Sequence, residues 1–386
     1  MGRTGAAESE GVSEQGTRRS RLHQLLAYAV SRGASDLHLK VPSRPVLRIH
    51  GALEPIADHP PLGPADVEAF AQEILAPNPL KVTEFAENGD ADLSYSAEGI
   101  GRFRVNIFRQ RGSTSLVLRV VPVAIRSVED LGLPPVVSRL AAEERGIILV
   151  TGTTGSGKST TLAAMVDQIN GSVHKHVVTI EDPIEMLHRD NRSLVNQREV
   201  GLDTPTFHQA LRRVMRQDPD VIMIGEIRDT VTMEVALNAA ETGHLVLSTM
   251  HTLDATETVN RAIGFFPLHQ QQQVRAMLAG TLKGIVSQRL VPAADRATGR
   301  VPAVEVLVMT GRARDMLINP DETGRLHEVI REGEFYGMQT FDQSLFAHVR
   351  EGRVLLDDAL THSSSPHDFK LMLDAGVARR NAAQYS

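Results

Sequence analysis

The stretch 146–170, "GIILVTGTTGSGKSTTLAAMVDQIN", decides how the rest of the chain is read. It passes from an apolar run suited to one buried strand, through a glycine-rich turn, into a run with helical spacing. Gly152, Gly157, Lys158 and Ser159 fit the spacing G-x-x-x-x-G-K-[ST], and strand-turn-helix is the context in which that spacing cradles phosphate. Gly155 and Gly157 carry no Cβ to block an approaching phosphate or forbid positive φ, so the turn's N–H groups can close on it. The helix starting near Lys158 adds its positive end. The expected nucleotide-binding set is Gly152, Thr153, Thr154, Gly155, Ser156, Gly157, Lys158, Ser159 and Thr160. Lys158 reaches the β- and γ-phosphates of ATP in this reading, and the Ser159 hydroxyl holds Mg2+.

Downstream, the apolar runs "HVVTIED", "DVIMIGE" and "HLVLSTMH" alternate with helical stretches, which predicts buried parallel strands with helices on both faces. Glu226 emerges at the carboxyl end of the second of these runs, where such sheets bind ligands, and is the expected partner of Mg2+. Asp is commoner at that place, so the longer side chain points to contact through water or to a shared role with another acid. "TIEDPIE" supplies Glu181, Asp182 and Glu185, candidates for orienting or deprotonating water; three acids this close need compensation by Mg2+ or arginine. Solvated charges on a turn around Pro183 are the alternative. Beyond Pro267 the chain reads as mainly helical through "LHQQQQVRAMLAGTLKGIVSQRLV", apart from a strand at "VPAVEVLVM".

Upstream, Leu22, Leu25, Leu26, Ala29 and Val30 share one helical face that stops at Gly33. Short alternating runs at "VLRIHGAL" and 91–121, with a helix near "PADVEAFAQEILA", predict antiparallel strands. The expected organisation is a polar disordered tail over 1–20, an α+β domain over 21–122, a proline-bearing connector over 123–143, an α/β ATPase domain over 144–363 and a polar tail over 364–386.

Composition narrows the partners. The formal charge of −6, aromatic content of 4% and absence of tryptophan argue against a motor that grips nucleic acid strands. With no cysteine, disulfides, cysteine-bound zinc and thiol catalysis are excluded. No run reaches the roughly 18 apolar residues of a transmembrane helix, and the polar N-terminus lacks the apolar core of a signal peptide, so a cytoplasmic location is expected.

His244 and His251 flank an apolar run. On a strand they would stand more than about 20 Å apart and point to opposite faces, so one metal cannot bridge them. His251, at the ligand-bearing edge, is the expected γ-phosphate sensor; His244 is the expected structural relay.

"TGTTGSGKSTTLAAM", "TIEDPIE", "NQREVG", "LRRVMRQDPDVIMIGEIRD" and "AAETGHLVLSTMHT" together resemble the PilT-like secretion ATPases, the motors of type IV pili. The resemblance runs from about Arg21, through "GASDLHL", to "FDQSLFAHVREGRV". It implies a PAS-like N-terminal domain, a RecA-like core and a homohexamer. It also implies that Glu185 is the catalytic acid, that Glu226 is the Walker B carboxylate on the Mg2+ side, and that His244 and His251 form a histidine box. Arg104 and Arg119 are implied to reach nucleotide phosphates on domain closure, while Arg228 stays open between phosphate sensor and partner of neighbouring acids. The implied partners are an inner-membrane pilus platform protein, at which the motor sits peripherally, and a second retraction ATPase. Absence of a tetracysteine module favours the retraction branch over pilus-assembly and type II secretion ATPases. The family's "AIRNLIRE" survives only as "GRLHEVIRE", so an accessory PilU-like paralogue stays in view, as does a regulatory nucleotide-binding protein without useful turnover.

Overall fold

Ser20 accepts a hydrogen bond from the His23 N–H and so caps the first helix of a computed structural model that describes residues 20–122 and 124–374. Of the polar tails expected over 1–20 and 364–386, residues 1–19 and 375–386 lie outside the described residues. The chain divides into two compact units between Val121 and Pro122.

In the first unit, α1 (Arg21–Ser31) buries Leu22, Leu25, Leu26 and Ala29, while Val30 of the predicted face is exposed. There follow β1 (Asp36–Lys40), β2 (Val46–Ile49), β3 (Ala52–Pro55), α2 (Pro64–Leu75), α3 (Pro79–Asn88), β4 (Asp90–Ala97), β5 (Gly101–Gln110) and β6 (Ser113–Val121). The six strands form one antiparallel sheet, ordered β3-β2-β1-β6-β5-β4. The alternating run at 46–53 is an antiparallel hairpin of β2 and β3, as expected of a run interrupted by glycine, with His50 and Gly51 turning at positive φ. Helix α3 escaped the sequence reading for a physical reason: only Phe85 is buried, so it shows no apolar stripe.

The second unit holds α4 (Pro135–Ala141), β7 (Gly146–Thr151), α5 (Lys158–Ser172), β8 (His176–Glu181), β9 (Leu194–Glu199), α6 (Phe207–Val214), β10 (Val221–Ile224), α7 (Thr230–Glu241) and β11 (Leu245–Met250). It continues with α8 (Ala255–Gly264), α9 (Leu268–Thr281), β12 (Leu282–Pro292), β13 (Arg300–Val308), α10 (Gly311–Ile318), α11 (Leu326–Glu332), α12 (Phe341–Arg350) and α13 (Leu356–His362). Its sheet is ordered β13-β12-β7-β11-β10-β8-β9, parallel throughout except for the β12–β13 pair. Both faces are covered. Ile147 and Leu149 join a core with α7 and α9, while Ile148 and Val150 join another with α4 and α5. Successive residues of each strand therefore enter opposite cores, which is why these strands read as unbroken apolar runs.

Three expectations need correction. Helix α9 stops at Thr281 and the rest of the expected helical run is strand β12, whose β-branched Ile285 and Val286 are fully buried between β7 and β13. The expected connector contains α4, which buries Val136, Val137, Leu140 and Ala141. Residues 366–374, expected in the C-terminal tail, are helical, with Phe369 fully buried against Val291, Leu345 and Val354.

Candidate nucleotide site

The parallel order places the carboxyl ends of β7, β8, β10 and β11 on one edge of the sheet, and the motif residues follow those ends. After β7, Gly152 turns at φ 140° where a Cβ would stand 2.4 Å from the Gln288 carbonyl and 2.5 Å from Ser156 Oγ. Only glycine fits there. Gly155 and Gly157 are left-handed, at φ 80° and 94°, and the turn they shape leads into α5. Thr153, Thr154, Gly155 and Ser159 are exposed, Gly157 and Thr160 half-buried. Ser156 Oγ is buried without a protein partner, and Lys158 Nζ folds back to donate to the carbonyls of Gly152 (2.8 Å) and Thr153 (2.9 Å).

This turn fits a phosphate: an ammonium held by the turn's own carbonyls can be recruited by a stronger acceptor, and the orphaned Ser156 hydroxyl has a bond to gain. Burial pushes the Lys158 ammonium below its usual range, opposed by the Glu226 carboxylate. An arriving phosphate would reinforce the charged form.

Glu226, with its side chain 19% exposed, is paired with the Arg228 guanidinium and with His251 Nε2 at 3.1 Å. Arg228 is therefore a partner of a neighbouring acid in this structure. Both partners are well exposed, so the pairs are weak and easily exchanged for a cation or phosphate.

Of the three acids at the end of β8 and in the turn after it, only Glu181 is buried, and the Glu185 charge still acts on it. Glu181 turns inward, 7% exposed, and accepts from Thr179 Oγ1 (2.7 Å), Gln197 Nε2 (3.0 Å) and the backbone N–H of Glu185. Burial pushes its carboxyl above the usual range. Asp182 and Glu185 face solvent.

His244 and His251 do not form a pair. The expected sensor, His251, joins Glu226 at the carboxyl edge, whereas His244 Nδ1 contacts the Ala239 carbonyl (2.9 Å) and Thr242 Oγ1 (3.2 Å) at the end of α7. His244 thus ties a helix end to the start of β11. Among the described residues no cluster of His, Cys, Asp or Glu is arranged to hold a metal by itself.

Arg104 and Arg119 belong to the first unit, where they stand directly opposite each other on β5 and β6. Asp36, opposite Arg119 on β1, accepts from its Nε at 2.9 Å and lies 3.8 Å from Arg48 Nε. Burial raises the Asp36 carboxyl, but the Ser35 hydroxyl and Arg119 outweigh it and hold the group below its usual range. Asp36 thereby pairs with both Arg119 and Arg48.

Sequence reasoning missed Gln197, Glu199 and Glu305. The available signals were a polar strand, "LVNQRE", beside an acid-rich turn, and a lone acid inside the apolar run "AVEVLV".

Residues 13–359 match the family model of the type II/IV secretion system protein. The chain belongs to this family. Among its secretion-system relatives is the type IV pilus retraction ATPase PilT of Pseudomonas aeruginosa, 41% identical over 346 residues, covering 90% of this chain and 99% of the relative. The type IV pilus ATPase PilU of the same organism is also 41% identical, over 353 residues, covering 92% of this chain and 91% of PilU. A crystal structure of the pilus retraction motor PilT with bound ADP superposes with a TM-score of 0.81 at 42% identity, covering 91% of this chain and 99% of that one. The expected fold class, a RecA-like α/β core with a smaller N-terminal α+β domain, holds for this secretion-system chain.

Proposed function

We propose that the chain is an ATP-hydrolysing motor that powers type IV pilus retraction, working as a homohexamer on a platform protein at the inner membrane. The observation that carries this is similarity along nearly the whole length of both chains to a retraction ATPase, with the phosphate turn intact. No helix among the described residues is long and apolar enough to cross a membrane.

The phosphates would lie on the turn 152–158, with Lys158 leaving its backbone carbonyls for them, and Ser159 and Glu226 would hold Mg2+. The metal supplies neutralisation of charge developing on the transferred group. Glu185 orients the attacking water. Arg104 and Arg119 reach the phosphates when the first unit closes, stabilising charge only as it develops. His251 senses the γ-phosphate, giving up its bond to Glu226 as the site fills and regaining it as the site empties. Equal identity to PilT and PilU supports an accessory, PilU-like role as the second reading.

The test is phosphate release by the full chain with and without Mg2+, beside Glu185→Gln. Mg2+-dependent release by the wild type, abolished in the variant with ATP binding retained, is expected. Nucleotide binding without release in the wild type would mark a regulatory protein and end the motor reading.

A further inference from the structure

The stretch "NQREVG" marked the family resemblance, yet no role follows for it from the phosphate chemistry. The structure gives it one. Strand β9 runs parallel to β8 with Thr179 opposite Gln197 and Glu181 opposite Glu199. Two-residue periodicity puts these four polar side chains on one face, beneath the turn that carries Glu185.

From there Gln197 uses its whole amide on that turn. Its Nε2 donates to the Glu181 carboxylate (3.0 Å) and to the Met186 carbonyl (2.8 Å), and its Oε1 accepts from the His188 N–H (2.8 Å). A backbone N–H on one side and a backbone carbonyl on the other leave only one orientation of the amide. Glu199, 4% exposed, accepts from the Ile184 N–H at 3.0 Å, and Glu181 takes the Glu185 N–H. Backbone groups of residues 184, 185, 186 and 188 are thus each bound by a β8 or β9 side chain.

The far half of the same loop is held by α5. Asn170, 2% exposed, donates through Nδ2 to the Arg189 carbonyl (2.7 Å) and accepts from the Asn191 N–H at Oδ1 (3.1 Å). Helix α5 is the helix whose first turn bears Lys158 and Ser159. The Glu185 loop is therefore clasped between β9 and the phosphate helix.

We infer that Gln197 is a positioning residue for Glu185, its amide fixing the loop so that the carboxylate stays in one place relative to the phosphate turn. A loop released from these backbone bonds would carry its acid out of position, and a misplacement of about 1 Å can cost about 100-fold in rate. The inference rests on the ATPase reading, and on Glu185 as its catalytic acid.

The experiment is steady-state hydrolysis by the full chain with Gln197→Met, which keeps the volume and loses all three bonds, and with Gln197→Glu. The latter retains the acceptor for His188 but cannot donate to Met186 and repels Glu181. Asn196→Ala, altering the neighbouring residue that contacts His176 on the opposite face, is the control. In both Gln197 variants kcat is expected to fall about 10- to 100-fold, with KM for ATP near wild type and Asn196→Ala unaffected. Added to Glu185→Gln, Gln197→Met should cost nothing further, because the two act as a unit. Unchanged kcat in Gln197→Met, or a fall in kcat matched by Asn196→Ala, or further loss in the double variant, would overturn it. If Glu185→Gln itself turns over normally, the failure lies in the assignment of Glu185.

Discussion

Replacing Glu305 by glutamine should abolish a pH dependence of stability that the wild type carries. Glu305 lies on β13, 8% exposed, and its carboxylate accepts from the Ala255 N–H (2.9 Å) at the first turn of α8. Burial pushes its pKa from 4.5 to about 7; the Ala255 N–H and Arg289 act against this, Asp254 and Asp342 with it. The folded state therefore holds a proton that the unfolded chain has released. Its contribution is fully present below pH 4.5, and is lost as pH rises to about 7. That displacement corresponds to roughly 3 kcal/mol, or on the order of 5–10 °C in Tm for a unit of this size. Glutamine keeps an oxygen for the Ala255 N–H and has no charge to bury. Thermal unfolding of both proteins near pH 5 and pH 8.5 gives the answer, since other titrating groups cancel between them. The variant should gain stability over the wild type as pH rises. A wild-type-minus-variant difference that is flat with pH would refute the reasoning.

Gly152→Ala should cost about 1–3 kcal/mol from overlap with the Gln288 carbonyl, and should lower nucleotide affinity with Lys158 intact; calorimetry and nucleotide titration read both. His251→Ala should change stability by no more than about 0.5 kcal/mol, because its pair with Glu226 is exposed, while lowering kcat with ATP binding retained. Equal loss of binding and turnover would remove His251 from the sensing role.

Much of this architecture was legible because buried parallel strands announce themselves as apolar runs and the glycine turn between β7 and α5 has few other uses. Strand β12 was not: it follows α9 with no proline and no left-handed glycine between them, so one apolar run spans two conformations. Its strand identity comes from pairing with β7 and β13, a tertiary fact. At the site, Glu226 and His251 stood out by their place at strand ends. Gln197 and Glu199 did not, because β9 is an edge strand whose polar residues look solvated until the turn above them is seen. The inward turn of Glu181, the fate of Arg228 and the cap formed by His244 likewise depend on partners distant in sequence.

The most direct measurement is complementation of a retraction-null Pseudomonas aeruginosa strain with this chain alone, beside its Lys158→Ala variant, scored by twitching and sensitivity to pilus-specific phage. The account predicts that the wild-type chain restores both and that Lys158→Ala, expressed at the same level, restores neither. Full restoration by Lys158→Ala, or none by a wild-type chain that hydrolyses ATP in the same cells, would contradict it.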